Sequence, residues 1–257
     1  MSQLRLDGIT VRYEGQPAPA VAHTELTVST GEFVVLTGRS GCGKTTLLSV
    51  AAGLLAPTFG TVRLDGREAP EPGSDRAMVF QDDALFPWLT VAENVAFALR
   101  MRGASKSERR QRAVEMLRRV RLEDAADKHV WELSGGMRQR VGLARALAAD
   151  PRFLLMDEPL GALDALTRER MQGLLLDIWS SSGTGVLMVT HGIEEALILA
   201  TRVVVMAPGP GRIVRTFETD FGRRVVGGEP ILSVKGDPAF QEMRVALAEA
   251  IYAGEPA

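Results

Sequence analysis

The chain has 257 residues, 46% of them hydrophobic, with 30 Lys+Arg against 32 Asp+Glu and a formal net charge of -2. One Cys, 26 Gly and 13 Pro in that setting exclude a disulfide-stapled, collagen-like or disordered chain, and the near-balanced charge argues against gross electrostatic binding to nucleic acid or an acidic membrane. The length suits one large domain with lobes, burying roughly 70% or more of the surface its unfolded form exposes, and excludes two full-size enzymes.

The N-terminus, MSQLRLDG, lacks the apolar stretch of a signal peptide. The longest apolar run, Val50 to Ala56, falls well short of the roughly 18 residues that suggest a membrane span, so the expectation is a soluble chain that stays in the cytosol. Leu4 to Val11 alternates apolar and polar residues as a half-buried antiparallel strand does, and Gly15 to Ala20, with Pro17 and Pro19, reads as a loop. Phe33-Val34-Val35-Leu36 does not alternate. It has the pattern of a strand covered on both faces, and it feeds a Gly-rich turn and a helix over Thr45 to Leu54.

That turn, Gly38-Arg39-Ser40-Gly41-Cys42-Gly43-Lys44-Thr45, matches the phosphate-binding pattern G-x-x-x-x-G-K-[ST], in the strand-to-helix context the pattern requires. Glycines let backbone N–H groups close around phosphate oxygens, the helix start adds its positive dipole end, Lys44 supplies a point charge and Thr45 offers a hydroxyl to Mg²⁺. Thr46 completes the candidate nucleotide contacts, while Arg39 sits at a variable position where a surface role is equally expected. Cys42, near a helix N-terminus, is expected to have an activated thiol whose alkylation inactivates the protein and against which ATP protects.

Thr61 to Leu64 followed by Asp65-Gly66 predicts a strand entering a tight turn, and Ala69 to Asp75 a connecting loop. From about Phe86 to Asp150 the pattern is helical, with Ser105-Lys106-Ser107-Glu108 at capping-box spacing before Ala113, Leu117 and Val120. Arg100 to Arg121 holds nine basic residues against Glu108 and Glu115, an excess of +7. A solvated helix face explains that excess, and the absence of interleaved aromatics argues against nucleic acid as a partner. Leu133-Ser134-Gly135-Gly136-Met137-Arg138-Gln139-Arg140 follows. Ser134 can cap the helix starting near Met137 and leave the Gly135 and Gly136 amides bare, a second anion-binding helix end.

Leu133 to Arg140 closely resembles the L-S-G-G-Q signature of ABC-type ATPases. The resemblance implies an α/β fold of the P-loop NTPase type: a mixed, largely parallel core sheet with an antiparallel β lobe (about 1–85 and 151–215), an inserted helical lobe (about 86–150) and a C-terminal amphipathic helix (about 238–252), all in one domain spanning 1–257. It implies that the second cradle acts on ATP held by the P-loop of another copy, giving a head-to-tail pair with two ATP molecules between subunits. It also implies integral membrane permease subunits, indirect dependence on a substrate-binding protein outside the membrane, and a place on the cytoplasmic face of the cell membrane.

Phe153 to Met156 is a further apolar strand, and it ends in Asp157-Glu158, two carboxylates that need a positive partner. A P-loop with Mg²⁺ supplies one, with Asp157 beside Thr45 in the metal shell and Glu158 oriented toward water as base. Val186 to Val189 and Val203 to Met206 have the same buried-strand pattern. By resemblance, Tyr13 stacks on adenine (a surface tyrosine at a strand end is the alternative), Gln81 touches Mg²⁺ and senses the membrane partner, Leu163-Asp164 crosses the dimer interface, and His191 holds the γ-phosphate and positions water. Met137, Gly161 and Gly192 depart from the family's usual Gln, Ser and Asp or Ser.

The apolar run Ala84 to Leu89, with Phe86, Pro87 and Trp88, reads either as a socket for a helix of the membrane subunit or as a core cluster. Phe86 to Val95, Leu133 to Val141 and Ser233 to Phe240 together resemble importers for nitrate, sulfonates and taurine, the last stretch most closely the taurine branch. Beyond Gly211 order is expected to resume only late, with Phe240, Met243, Leu247 and Ile251 at helical spacing behind Asp237-Pro238. Packing on its own domain is the expected use of that helix.

Overall fold

The computed structural model describes residues 1–82 and 84–253. Its first part runs β1 (Gln3–Val11), β2 (Val21–Ser29), β3 (Phe33–Gly38), α1 (Lys44–Ala51), β4 (Phe59–Leu64), β5 (Arg67–Glu68) and β6 (Arg76–Val79). A helical stretch follows, with α2 (Val91–Val95), α3 (Phe97–Met101), α4 (Lys106–Arg119) and α5 (Gly135–Ala148). The chain then returns to strands with β7 (Phe153–Asp157), α6 (Ala165–Ser182), β8 (Gly185–Val189), α7 (Ile193–Leu199), β9 (Arg202–Ala207) and β10 (Arg212–Glu218), and ends in α8 (Phe221–Val226), α9 (Ile231–Gly236) and α10 (Pro238–Tyr252).

Two sheets form. The smaller is antiparallel in the order β2-β1-β4-β5, and the larger, β10-β9-β3-β8-β7-β6, is parallel apart from β10, which runs antiparallel to β9. The unbroken apolar runs have a direct cause. Phe33 and Val35 of β3, Leu154 and Met156 of β7, and Val186 and Met188 of β8 enter a core shared with the helices. The alternate residues, Val34, Leu36, Phe153, Leu155, Leu187 and Val189, enter a second core shared with the small sheet and α1. With both faces covered, neither set of side chains can be polar.

The middle helices are fixed at their ends. Ser105 accepts from the Glu108 amide at 3.3 Å and the Glu108 carboxylate accepts from the Ser105 amide at 2.8 Å, the reciprocal cap expected from the spacing. Part of the basic excess of this region is neutralised from outside it, since Arg110 pairs with Asp127 at 2.8 Å and Arg112 reaches Asp150 as well as Glu115. The Ala84–Leu89 run divides. Leu85 and Leu89 are buried, whereas Trp88 is 70% exposed beside Phe86, with ring centroids 5.6 Å apart. Buried Asn94 shapes the segment by accepting from the Phe86 amide and donating to the carbonyls of Phe86 and Thr90.

The late part of the chain corrects one expectation. Order does not lapse after Gly211, because β10 begins at once and α8 and α9 follow. β10 is an edge strand with a register shift between Ile213 and Arg215, and α8 and α9 span six residues each, too short to display a 3.6-residue period. α10 packs on its own domain as expected, with Phe240 and Leu247 fully buried and Phe240 edge-on to Phe221 at 5.0 Å. Among the described residues no helix is long and apolar enough to cross a membrane.

Candidate active site

Adjacent parallel strands β3, β8 and β7 end together, with Leu36 in register with Val189 and Val189 with Asp157. The residues that follow these ends, Gly38 to Thr46, Thr190-His191 and Asp157-Glu158, therefore meet at one rim. This is the usual location of ligand sites in open parallel sheets.

At the first strand end, Gly38 (φ 146°), Gly41 (φ 78°) and Gly43 (φ 89°) adopt backbone conformations that L side chains rarely take. A Cβ on Gly38 would lie 2.3 Å from the Met206 carbonyl oxygen, and one on Gly43 would lie 2.6 Å from Val21 Cγ2. Buried Lys44 donates from Nζ to the carbonyls of Gly38 (2.8 Å) and Arg39 (3.0 Å), drawing the loop around its ammonium. Gly43 caps α1 without a side-chain bond, which leaves the first helical amides to a ligand. Ser40 and Gly41 are exposed on the loop. Tyr13 is 44% exposed, and its hydroxyl lies 3.1 Å from Thr46 Oγ1, so its ring stands beside the same cradle.

Cys42 corrects the expected reactivity. Its side chain is fully buried, with Sγ 3.7 Å from Lys44 Nζ, so the residue can offer a nucleotide only its amide. A buried thiol is protected from reagents. In the folded protein Cys42 is expected to react with a thiol reagent far more slowly than in denaturant, and bound ATP to slow it further; timed thiol titration checks this, and reaction at the denatured rate would contradict it.

Thr45 donates its hydroxyl to Asp157 Oδ1 at 3.1 Å across 112 residues of sequence. Burial pushes the Asp157 carboxyl above the usual carboxylate range; the Thr45 bond and the Lys44 charge oppose that shift, and Glu158 adds to it. An all-oxygen pair of one buried carboxylate and one hydroxyl beside a phosphate cradle fits Mg²⁺. Because the folded carboxyl binds its proton more tightly than the unfolded one, its ionisation opposes folding: the penalty is absent below the unfolded pKa and grows as pH rises through the folded value. Asp157→Asn is accordingly expected to raise the Tm of the nucleotide-free protein at neutral pH while removing the further rise caused by Mg·ATP, both read by calorimetry. Gln81 is exposed two residues beyond β6, the strand beside β7.

Glu158 has a left-handed backbone (φ 44°), held by its amide donating to the Val189 carbonyl at 3.0 Å and by its carbonyl accepting from Gly161 at 3.1 Å. Its Oε2 lies 3.1 Å from Nδ1 of His191, whose side chain is 68% exposed. With the proton on Nδ1 the imidazole donates to Glu158, and a partly shielded carboxylate is paired with an outward-facing ring. The glycine departures are accommodated. A Cβ at Gly161 would make ordinary contacts of 3.5 Å or more, and one at Gly192 would press Glu195 Cβ at 3.3 Å.

The second cradle stands apart. Ser134 caps α5 by accepting from the Met137 amide at 3.4 Å, with the helix starting at Gly135. Ser134, Gly135 and Gly136 line a cavity of about 680 Å³ that Asp164, Thr167 and Arg170 close from the other side, and no P-loop residue is among its lining. A Cβ on Gly136 would meet Thr167 Cγ2 at 3.2 Å and Leu163 Cδ2 at 3.4 Å, so this helix end and the Leu163-Asp164 turn fit against each other. Sequence reasoning passed over Arg168, Gln172 and Glu195, which lie behind the Glu158–His191 pair. The available signal was Glu195 directly before the apolar run Ala196 to Ala200, a place where a charged side chain is buried unless the helix turns it outward.

Residues 21–161 match the sequence profile of the family described as ABC transporter. The chain belongs to that family. A protein of Mesorhizobium japonicum named taurine import ATP-binding protein TauB is 66% identical over 257 residues, covering 100% of both chains. A protein of the same name from Sinorhizobium fredii is 52% identical, covering 100% of this chain and 98% of its own. Among solved structures, the dimeric bacterial ABC transporter cassette MJ0796 superposes with a TM-score of 0.75 at 34% identity, covering 84% of this chain and 98% of that one. A post-hydrolysis state of MJ0796 bound to ADP and Pi gives a TM-score of 0.75 at 35% identity over the same shares. The two sheets and the helices between them are thus the P-loop ABC ATPase fold, and the enzyme class is an ABC ATPase coupled to transport.

Proposed function

We propose that this chain is the ATP-hydrolysing subunit of a membrane importer for taurine or a related sulfonate. It works as a head-to-tail pair of copies on the cytoplasmic face of the cell membrane, docked on permease subunits that receive their cargo from a substrate-binding protein. The single observation that carries the cargo is the end-to-end identity with taurine import ATP-binding proteins, which includes the tail as well as the ATPase motifs. We divide the chain into a core with an antiparallel β lobe (1–85 and 151–215), a helical lobe (86–150) and the C-terminal helix. Exposed Trp88 beside Phe86 supports docking on a membrane subunit at the helical lobe.

In this reading Tyr13 lies against adenine, and the amides of Gly38 to Thr46, with Lys44, neutralise the phosphates. Thr45, Asp157 and Gln81 hold Mg²⁺. When bound there the ion spreads the negative charge that builds on the phosphate oxygens. Glu158 accepts a proton from the attacking water, and His191 orients that water and contacts the γ-phosphate. Ser134, Gly135 and Gly136 of a second copy close the site and stabilise the transition state with helix-end amides. Closure of the pair moves the permease, and hydrolysis reopens it.

The test is uptake of labelled taurine into vesicles carrying this chain, its membrane partner and the binding protein, with nitrate and an alkanesulfonate as competitors. ATP-dependent taurine uptake that vanishes in Glu158→Gln is the expected result. Uptake only of a competitor would move the cargo to a neighbouring branch, and ATP turnover without uptake would remove the transport reading.

A further inference from the structure

Behind the Glu158–His191 pair lies a cavity of about 320 Å³, walled on one side by α6 and on the other by the start of α7. Arg168 and Glu169 of α6 and Glu194 and Glu195 of α7 line it, and of these Arg168 and Glu195, opposite in charge, take no part in the hydrolysis described above. Arg168 of α6 donates Nη2 to the Leu163 carbonyl at 2.6 Å and Nε to the Leu160 carbonyl at 3.4 Å, so its guanidinium grips the turn that follows Glu158. Glu195 of α7 is only 7% exposed. Burial pushes its carboxyl above the usual carboxylate range, opposed by the Thr190 hydroxyl and the positive charge of Arg168, which line the same cavity.

Residues that line this cavity beside Glu195 flank His191 on both sides. Thr190 precedes the histidine, and its hydroxyl oxygen also accepts from the Gly192 amide at 3.0 Å. Gly192 follows it, close enough that a Cβ built there would lie 3.3 Å from Glu195 Cβ and 3.8 Å from Glu195 Oε2. A buried carboxylate is costly, and here it shares its cavity with one buried hydroxyl, that of Thr190, and one guanidinium, that of Arg168. Glu194, its neighbour on the same cavity, is exposed and pairs with Lys235 at 3.5 Å. The Gln172 amide oxygen is buried in the same wall with no hydrogen-bond partner among the described residues.

We propose that Glu195 is a positioning residue for His191, and that Arg168 couples it to the Leu160–Asp164 turn, so that the histidine is aligned when that turn is seated. A single carboxylate braces the backbone before and after the imidazole. The guanidinium across the cavity from it is the same group that holds the turn beside the signature cradle. Loss of either charge frees the histidine without touching the phosphate cradle.

This inference rests on the reading of His191 as part of the hydrolytic site, and the experiment separates the two. The full chain has 3 His, so histidine-selective NMR resolves each ring. In Glu195→Gln, Arg168→Gln and the double variant, the His191 ring resonances are expected to shift or broaden while those of His23 and His129 stay in place. For Mg·ATP hydrolysis, kcat is expected to fall ~10-fold with KM within about twofold, because only alignment is lost. The double variant is expected to be no slower than the slower single, as befits one coupled unit. Thr190→Val, which removes one hydroxyl, is a milder second variant expected to move His191 in the same direction. Unmoved His191 resonances, a double loss equal to the product of the singles, or a KM rising in step with the kcat loss would each overturn the proposal. If the wild-type chain shows no ATP turnover, the hydrolytic reading fails by itself, and the NMR arm still decides the link.

Discussion

Glu158→Gln leaves ATP binding intact and lowers hydrolysis at least ~100-fold, the scale of losing a positioned general base. The substitution keeps the volume and hydrogen-bonding reach of the side chain, so the contact with His191 Nδ1, 3.1 Å in the native chain, can persist through the amide oxygen. What disappears is the capacity to take a proton from water. Lys44, Thr45 and Asp157 are untouched, so Mg·ATP is still gathered and pairs of copies accumulate in the closed state. Nucleotide affinity by fluorescence, turnover by phosphate release and pair formation by light scattering check the three parts. Normal turnover would place the base elsewhere.

Gly38→Ala has the largest expected effect on folding and binding together. The added Cβ would meet the Met206 carbonyl oxygen at 2.3 Å and Cys42 Sγ at 3.0 Å, at a residue whose φ is 146°. The first obstacle is backbone of β9, hydrogen-bonded in the sheet, so relief requires the loop itself to move. Overpacking and backbone strain of this kind cost about 1–3 kcal/mol each, and the displaced loop also loses Lys44's anchor on the Gly38 carbonyl. The expected outcome is a lowered midpoint in urea and an ATP affinity reduced at least ~10-fold. A variant that unfolds at the native midpoint and binds ATP normally would show that the loop has slack which the contacts deny.

The features legible in the sequence were those whose physics is local. Gly38, Gly43, Lys44 and Thr45 are defined by spacing within one turn, Ser134 and Ser105 by the cap they offer three residues on, and the strands by runs that both cores require to be apolar. Which distant residues meet was legible only through the chemistry of the motifs, which put Asp157 beside Thr45 and both Glu158 and His191 at the attacking water, and not through any local pattern. Thr45 and Asp157 are joined over 112 residues and His191 and Glu158 over 33, and strand order alone brings them together. Cys42 misled because proximity to a helix start suggests activation, whereas the rotation of one residue in a glycine-rich turn decides whether a thiol faces solvent or core. β10, α8 and α9 were missed since a strand with a bulge and helices of six residues carry too few repeats to establish a period. Glu195 and Arg168 were missed because their importance lies in what they hold.

The left-handed backbone at Glu158 carries a consequence for the history of such chains. At φ 44° a residue with a Cβ costs roughly 1–2 kcal/mol relative to glycine, and asparagine also tolerates that region. Folding alone would therefore favour Gly or Asn at this position, and in the proposed mechanism turnover is what requires a glutamate. A descendant released from hydrolysis gains stability by drifting here first, and its loss of catalysis would be written in a better-folded protein.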